Sequence, residues 1–262
     1  MESALDYWTA KALLDWQVEM GVDEAIGDAP IDRYALEDRK PAPKPAVVAT
    51  APDAPPAPVE EEVLDPVAVA QLAAQAASDL AGLRAALAAF EHCEMKTAAR
   101  NLIFSDGVAG APVMVLTDPP DRDDDRAGQL FSGRSGVLLD KMLAAIGLSR
   151  SGAAAIYAAP IVPWNPPQNR DLSAAEIAMM LPFLERHIEL AAPKVLVLMG
   201  NAPCHTLLKK SGMTRLRGKW VEAASLPALP MFPPVHLLAQ PAAKREAWAD
   251  LLALKAKLKD LQ

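Results

Sequence analysis

The chain has 262 residues, 52% of them apolar but only 5% aromatic, and a formal net charge of −7. That length suits one domain with extensions or two small domains, with ample Ala, Leu and Val for a buried core. No uncharged apolar run of about 18 residues is present, which excludes a spanning helix. The acidic start M-E-S-A-L-D-Y-W lacks the basic segment of a secretory signal, and two distant cysteines, Cys93 and Cys204, exclude a disulfide framework. A soluble, cytoplasmic monomer is expected. Charge is uneven: the first 90 residues carry 16 acidic and 6 basic side chains, the remainder 17 acidic and 20 basic. An acidic total therefore does not exclude nucleic-acid binding by the C-terminal part.

In chain order, residues 1–19 read as an amphipathic helix, with Leu5, Trp8, Leu13 and Trp16 at near-helical spacing and Gly21 as a stop. The N-terminal extension is placed at 1–36, and residues 1–20 are a candidate ligand for a protein partner. A Pro/Ala-rich, disordered linker is expected over 37–64, where seven prolines between Pro41 and Pro58 forbid a helix. The main domain then covers 65–262. Asp65 and Pro66 are a helix N-cap and first helical residue, and Leu72, Ala76, Leu80, Leu83, Leu87 and Phe90 are read as one apolar stripe. Strands are expected at 113–117, 154–158, 195–199 and 229–232. Helices are expected at 135–146, 174–191, 202–210 and 241–261. Ser173 and Glu176 make a capping box. Such alternation predicts a three-layer α/β/α fold around a central, mainly parallel four-stranded sheet. Ligands of such sheets bind beyond the carboxyl ends of the strands, so the loops after Thr117, Ala158, Met199 and Phe232 are the ones to inspect.

Four segments stand out: D-D-R-A-G-Q-L-F-S-G-R-S-G-V-L-L-D-K-M-L-A-A-I-G-L (124–148), N-P-P-Q-N-R (165–170), L-P-F-L-E-R-H-I-E-L-A-A-P-K-V-L-V-L-M-G (181–200) and R-L-R-G-K-W (215–220). In that order and at those separations they resemble the uracil-DNA glycosylases usually called family 4, over more than half of the chain. The resemblance implies DNA as substrate. It implies a pocket that flips a base, holds its edge and stabilises charge on the departing ring.

Against that family the first pocket turn reads T-D-P-P-D (117–121). Asp118 keeps a carboxylate where the family has Glu, as a water-positioning group. Thr117 and Asp121 replace two glycines, and bulky replacements at such a turn are expected to close or distort the pocket. Phe131 stands at the base-stacking position. Asp121, Asp123, Asp124 and Asp125 read as a solvated turn rather than a metal site, because no His is nearby. The family's uracil-reading Asn falls on Pro160, which has no donor or acceptor to offer; Asn165 or Asn169 from the next loop is the candidate substitute for base binding. The family's His falls on Pro233. His236, three residues on, either reaches the mouth of the cleft as an electrophile or is a half-exposed residue at a helix start. Of four iron-cluster cysteine positions only Cys93 is retained. The others are Lys96, Trp164 and Met180, so no cofactor is expected, and Trp164 and Met180 are read as an apolar plug.

DNA-gripping features are better kept. Arg215, Arg217 and Lys219 resemble a phosphate-tracking loop, and Arg134 and Ser135 open a helix whose N-terminus suits a phosphate. The alternative for each is a solvated basic face, and for Arg170 a phosphate contact stands beside a surface ion pair. The expected function is a uracil-DNA-glycosylase-like DNA-repair protein, nucleoid-associated, that would excise a damaged base by N-glycosidic hydrolysis with activity weak, altered or lost. The alternative is a catalytically inactive DNA-binding or partner-binding regulatory or tethering protein.

Overall fold

A computed structural model describes residues 65–261, together with Lys11, Leu13, Leu14 and Trp16, which are helical. Apart from those four, the helix expected over 1–19 lies outside the described residues, as does the linker at 37–64. The chain divides into two units, Met1–Glu60 and Glu61–Gln262, and the second is an α/β/α domain.

The domain opens with α1 (Pro66–Ala76), capped as expected: Asp65 accepts the Val67 N–H at 3.0 Å and Pro66 takes the first position. The single apolar stripe does not hold. The chain breaks at Ala77, and Asp79 accepts the Gly82 N–H at 2.7 Å to start α2 (Leu80–Ala89). Arg186, from a later helix, donates to the carbonyl of Ala77 and so satisfies the group that the break exposes. Leu72 is exposed in consequence, and the buried face is Ala70, Ala74, Leu83, Leu87 and Phe90.

After the single turn α3 (Met95–Ala98) come β1 (Asp106–Gly107), β2 (Val113–Thr117), α4 (Arg122–Ala127), α5 (Gly133–Ile146), β3 (Tyr157–Pro160), α6 (Ala174–Ala191), β4 (Val195–Met199), α7 (Asn201–Leu208), α8 (Met213–Leu216), β5 (Val221–Ala223), β6 (Leu226–Met231), α9 (Pro234–Ala239) and α10 (Lys244–Asp260). The sheet order is β1-β3-β2-β4-β6-β5. The four inner strands are parallel, and the two edge strands are short and antiparallel. Every residue of β2 and β4 is buried, as unbroken apolar strands covered on both faces must be. The chain steps from β2 outward to β3, then back past β2 to β4. Right-handed crossovers therefore put α5 and α6 on opposite faces. Helices α1 and α2 pack on α6, whereas α9 and α10 pack on α5.

The reversal of direction falls between β2 and β4, the place where an open parallel sheet gapes at its carboxyl end. Strand β3 begins three residues later than expected and β6 three residues earlier, and each contains proline: Pro160 at the end of β3, Pro227 and Pro230 within β6. The Pro230 carbonyl still accepts the Gly218 N–H at 2.9 Å. Among the described residues no helix is long and apolar enough to cross a membrane.

Candidate functional site

Two adjoining cavities of about 540 Å³ each open at the carboxyl ends of β2 and β4. They share Asp118, Asp171, Leu172, Asn201, Ala202, Pro233 and His236. Asp118 follows β2 directly. Its carboxylate accepts the Ala202 N–H at 2.9 Å, at the start of α7, where the helix dipole favours an anion. Glycine is required at position 200, since a Cβ there would overlap the Asp118 carboxylate. Burial outweighs the helix: it pushes the Asp118 pKa up to about 6, with the Asp171 charge adding to the rise.

Phe131 is placed by its own backbone. It sits at φ 54°, in the left-handed region, and Gly136 has no side chain because a Cβ would collide with the Phe131 carbonyl. The F-S-G-R-S-G run thus folds a turn that holds the Phe131 ring in the wall of the first cavity, beside Ser135. Ser135 is buried and its hydroxyl donates to the Ser132 carbonyl at 2.9 Å. Arg134 is exposed and lies outside both cavities.

Asn169, also in the lining of the first cavity, is left-handed, φ 53°, and its side-chain oxygen accepts from Asn165 Nδ2 at 2.9 Å. Asn165 also donates to the Pro120 carbonyl at 2.7 Å, tying this loop to the Asp118 turn. Arg170 lines the first cavity, but its guanidinium forms two bonds to Glu176, one of 2.9 Å. The ion-pair alternative is the one the geometry supports. His236 lines both cavities, and its ring stacks on Phe232 with centroids 4.4 Å apart. It stands half-buried in the first turn of α9.

Three expectations need correction. Thr117 and Asp121 do not close the pocket: both line the first cavity, and Asp121 caps α4 by accepting the Asp123 and Asp124 N–H groups at 2.8 and 2.9 Å. The acidic run is not a solvated turn. Asp124 and Asp125 are buried, the first accepting the Ser132 N–H at 2.6 Å and the second those of Arg100 and Asn101. Burial pushes the Asp124 pKa up to about 6. Among the described residues no group of three or more His, Cys, Asp or Glu is arranged to hold a metal.

The third correction is Arg217. Its guanidinium pairs with the buried carboxylate of Asp250 on α10, Nε to Oδ2 at 3.0 Å, donates to the Glu246 carbonyl at 2.8 Å, and lies over the Phe232 ring at 5.7 Å. It is a packing residue behind the cleft and does not face solvent as a phosphate contact. Arg215 and Lys219, its neighbours in the run, are exposed.

The four positions where the resemblance implies cluster cysteines do not suit an iron centre. Cys93, Trp164 and Met180 belong to the apolar core, burial raises the Cys93 thiol pKa, and the Lys96 ammonium donates to the Phe90 carbonyl at 3.1 Å. One thiol beside an ammonium, an indole and a thioether is not a ligand set for four irons.

Asn201, Ala202 and Asp171 were not singled out from sequence. The first two follow a strand end whose loop was expected to matter; Asp171 carried no signal.

An open parallel α/β sheet with a cleft at its carboxyl-end reversal, lined by an acid and an aromatic ring, is the architecture of an α/β protein with a ligand-binding cleft. The uracil DNA glycosylase superfamily model matches residues 104–252, and the chain belongs to that superfamily, on its family-4-like side. It is 30% identical over 133 residues to the type-4 uracil-DNA glycosylase of Sulfurisphaera tokodaii, covering 48% of this chain and 59% of that one. To the type-4 enzyme of Archaeoglobus fulgidus it is 27% identical over 167 residues, covering 60% and 82%. For that of Thermotoga maritima the figures are 28% over 149 residues, 56% and 76%. The first of these matches thus spans less than two thirds of the relative's length.

Proposed function

We propose that this chain is a uracil-DNA-glycosylase-like repair protein that grips DNA at the nucleoid, in the cytoplasm, and hydrolyses an N-glycosidic bond, with uracil excision itself weak or lost. The observation that carries the reading is the open cleft holding Asp118, Phe131 and His236, on a fold whose relatives are named for that reaction. In this reading a base flips between Phe131 and the Asn169 loop, Asp118 orients the attacking water, and His236 lies near enough to polarise the leaving ring. Arg134, Arg215 and Lys219, with the start of α5 at Ser135, meet the phosphates; Arg170 stays bound to Glu176 at the rim. The protein acts without an iron cluster, given the ligand positions at Cys93, Lys96, Trp164 and Met180, and elemental analysis should find no stoichiometric iron.

A second reading, a DNA-binding regulator with no chemistry, is favoured by one observation. Pro233 in the cavity lining, and Pro160 at the end of β3, stand where the resemblance implies the His and Asn that handle uracil, and each such contact is worth about 10²–10³ in rate. Both readings require DNA binding. Titration of the full chain with duplex and single-stranded DNA should give a Kd of about 10⁻⁶ M or tighter at physiological salt, weakening steeply as salt rises. An absence of binding would overturn both and leave a protein partner.

A further inference from the structure

We propose that the base this cleft accepts is a purine carrying a fixed positive charge, such as one alkylated at a ring nitrogen. The inference rests on the glycosylase reading above and names its substrate class. The charge lining the first cavity is one-sided. Asp118, Asp121, Asp124 and Asp171 line it, Asp121 and Asp124 also accepting backbone N–H bonds, whereas Arg170 is neutralised by Glu176 and His236 is the other basic side chain in the lining. A pyrimidine such as uracil leaves as an anion, and carboxylates around it oppose that departure. A cationic ring is attracted by the same carboxylates and by the face of Phe131.

A replaced residue points the same way. Pro233, in the cavity lining before α9, stands where the resemblance implies a His and lacks the donors that an anionic leaving group needs. A ring that is already positive does not need them. In the reaction, water oxygen forms a bond to C1′ and its proton passes to the Asp118 carboxylate and on to solvent. The C1′–N9 bond breaks, and its electron pair stays on N9 and cancels the ring charge. The base departs neutral and an abasic site remains. The volume of about 540 Å³ lies within the roughly 300–1,000 Å³ of sites that hold drug-sized molecules, so a two-ring base is admissible.

The test uses the full chain and DNA methylated with dimethyl sulfate, beside uracil-containing DNA, with released bases measured by mass spectrometry against a protein-free control. Parallel binding titrations use the same DNAs. Methylated purine release should exceed spontaneous loss at least tenfold, and Asp118→Asn should return it to nearly the spontaneous rate. Phe131→Leu, which keeps an apolar wall but no ring face, should reduce it as well. Release indifferent to both substitutions would overturn the assignment. Uracil release without methylated-base release would overturn it and leave the glycosylase reading standing. Binding to DNA with no base released would overturn it in favour of the inactive binder, and neither binding nor release would remove the parent reading too.

Discussion

The carboxyl group of Asp118 meets opposed influences: burial and Asp171 raise its pKa to about 6, and the Ala202 N–H works against them. A folded-state value above the ordinary 3.8 means that stability is fully present below about pH 3.8 and is lost as pH rises through about 6. Asp118→Asn, which cannot ionise, should therefore be more stable than wild type at pH 7 by roughly 1–3 kcal/mol, and the difference should vanish near pH 4. Denaturant unfolding at the two pH values checks this; a difference that does not change with pH would mean the group is not desolvated. The same group accepts a proton only when ionised, so any base release should fall as pH drops below about 6, with Asp171, Asp124 and His236 as the neighbouring titratable groups. Position 118 was legible because a carboxylate stood in a recognisable turn. Its energetics were not, because they come from burial in the fold and from α7 and Asp171, both more than 50 residues on. The buried pair Tyr157 Oη and His187 Nε2, 2.7 Å apart under the Phe104 ring, was likewise invisible: nothing local tells a core histidine from a surface one.

At the scale of elements, the run Arg215 to Lys219 joins α8 to β5 and carries two different duties. Arg217→Ala would leave Asp250 buried without its partner, and breaking such a pair costs about 3 kcal/mol or more. It would also withdraw the cation over Phe232, on which His236 stacks. Arg215→Ala with Lys219→Ala should leave stability within about 0.5 kcal/mol, yet flatten the salt slope of DNA binding by roughly 0.7–0.9 per lost contact. Thermal melts and salt titrations separate the two: a destabilised Arg215/Lys219 variant, or a neutral Arg217→Ala, would reverse the assignment. The alternation of basic residues reads identically for all three, and only the fold reveals that the middle one turns toward α10. Helix α6 was legible to the residue because its Ser173–Glu176 capping box is local. The helix break at Ala77 was not, since Arg186 from α6 helps to hold it. The edge strands β1 and β5 are two and three residues long, too short to carry a period.

For the whole molecule, the sheet, its helices and the cleft all lie within 61–262. Deleting residues 1–64 should leave the melting temperature of the remainder within a few degrees, because a proline-rich segment cannot supply a packed core; a large drop would make the N-terminal part integral. The architecture was legible because strand and helix periods, caps and family segments agree with one another. What the pocket does was less so, because Thr117 and Asp121 looked obstructive and instead complete a strand and cap a helix. The most direct measurement is single-turnover uracil excision by the full chain and by a Pro160→Asn/Pro233→His variant, beside a type-4 relative. The chain should cut at least roughly a thousandfold more slowly than the relative, two preorganised contacts being absent, and the double variant should recover about 10²-fold or more. Excision by the unaltered chain at the relative's rate would contradict the reading of Pro160 and Pro233 on which the substrate assignment stands.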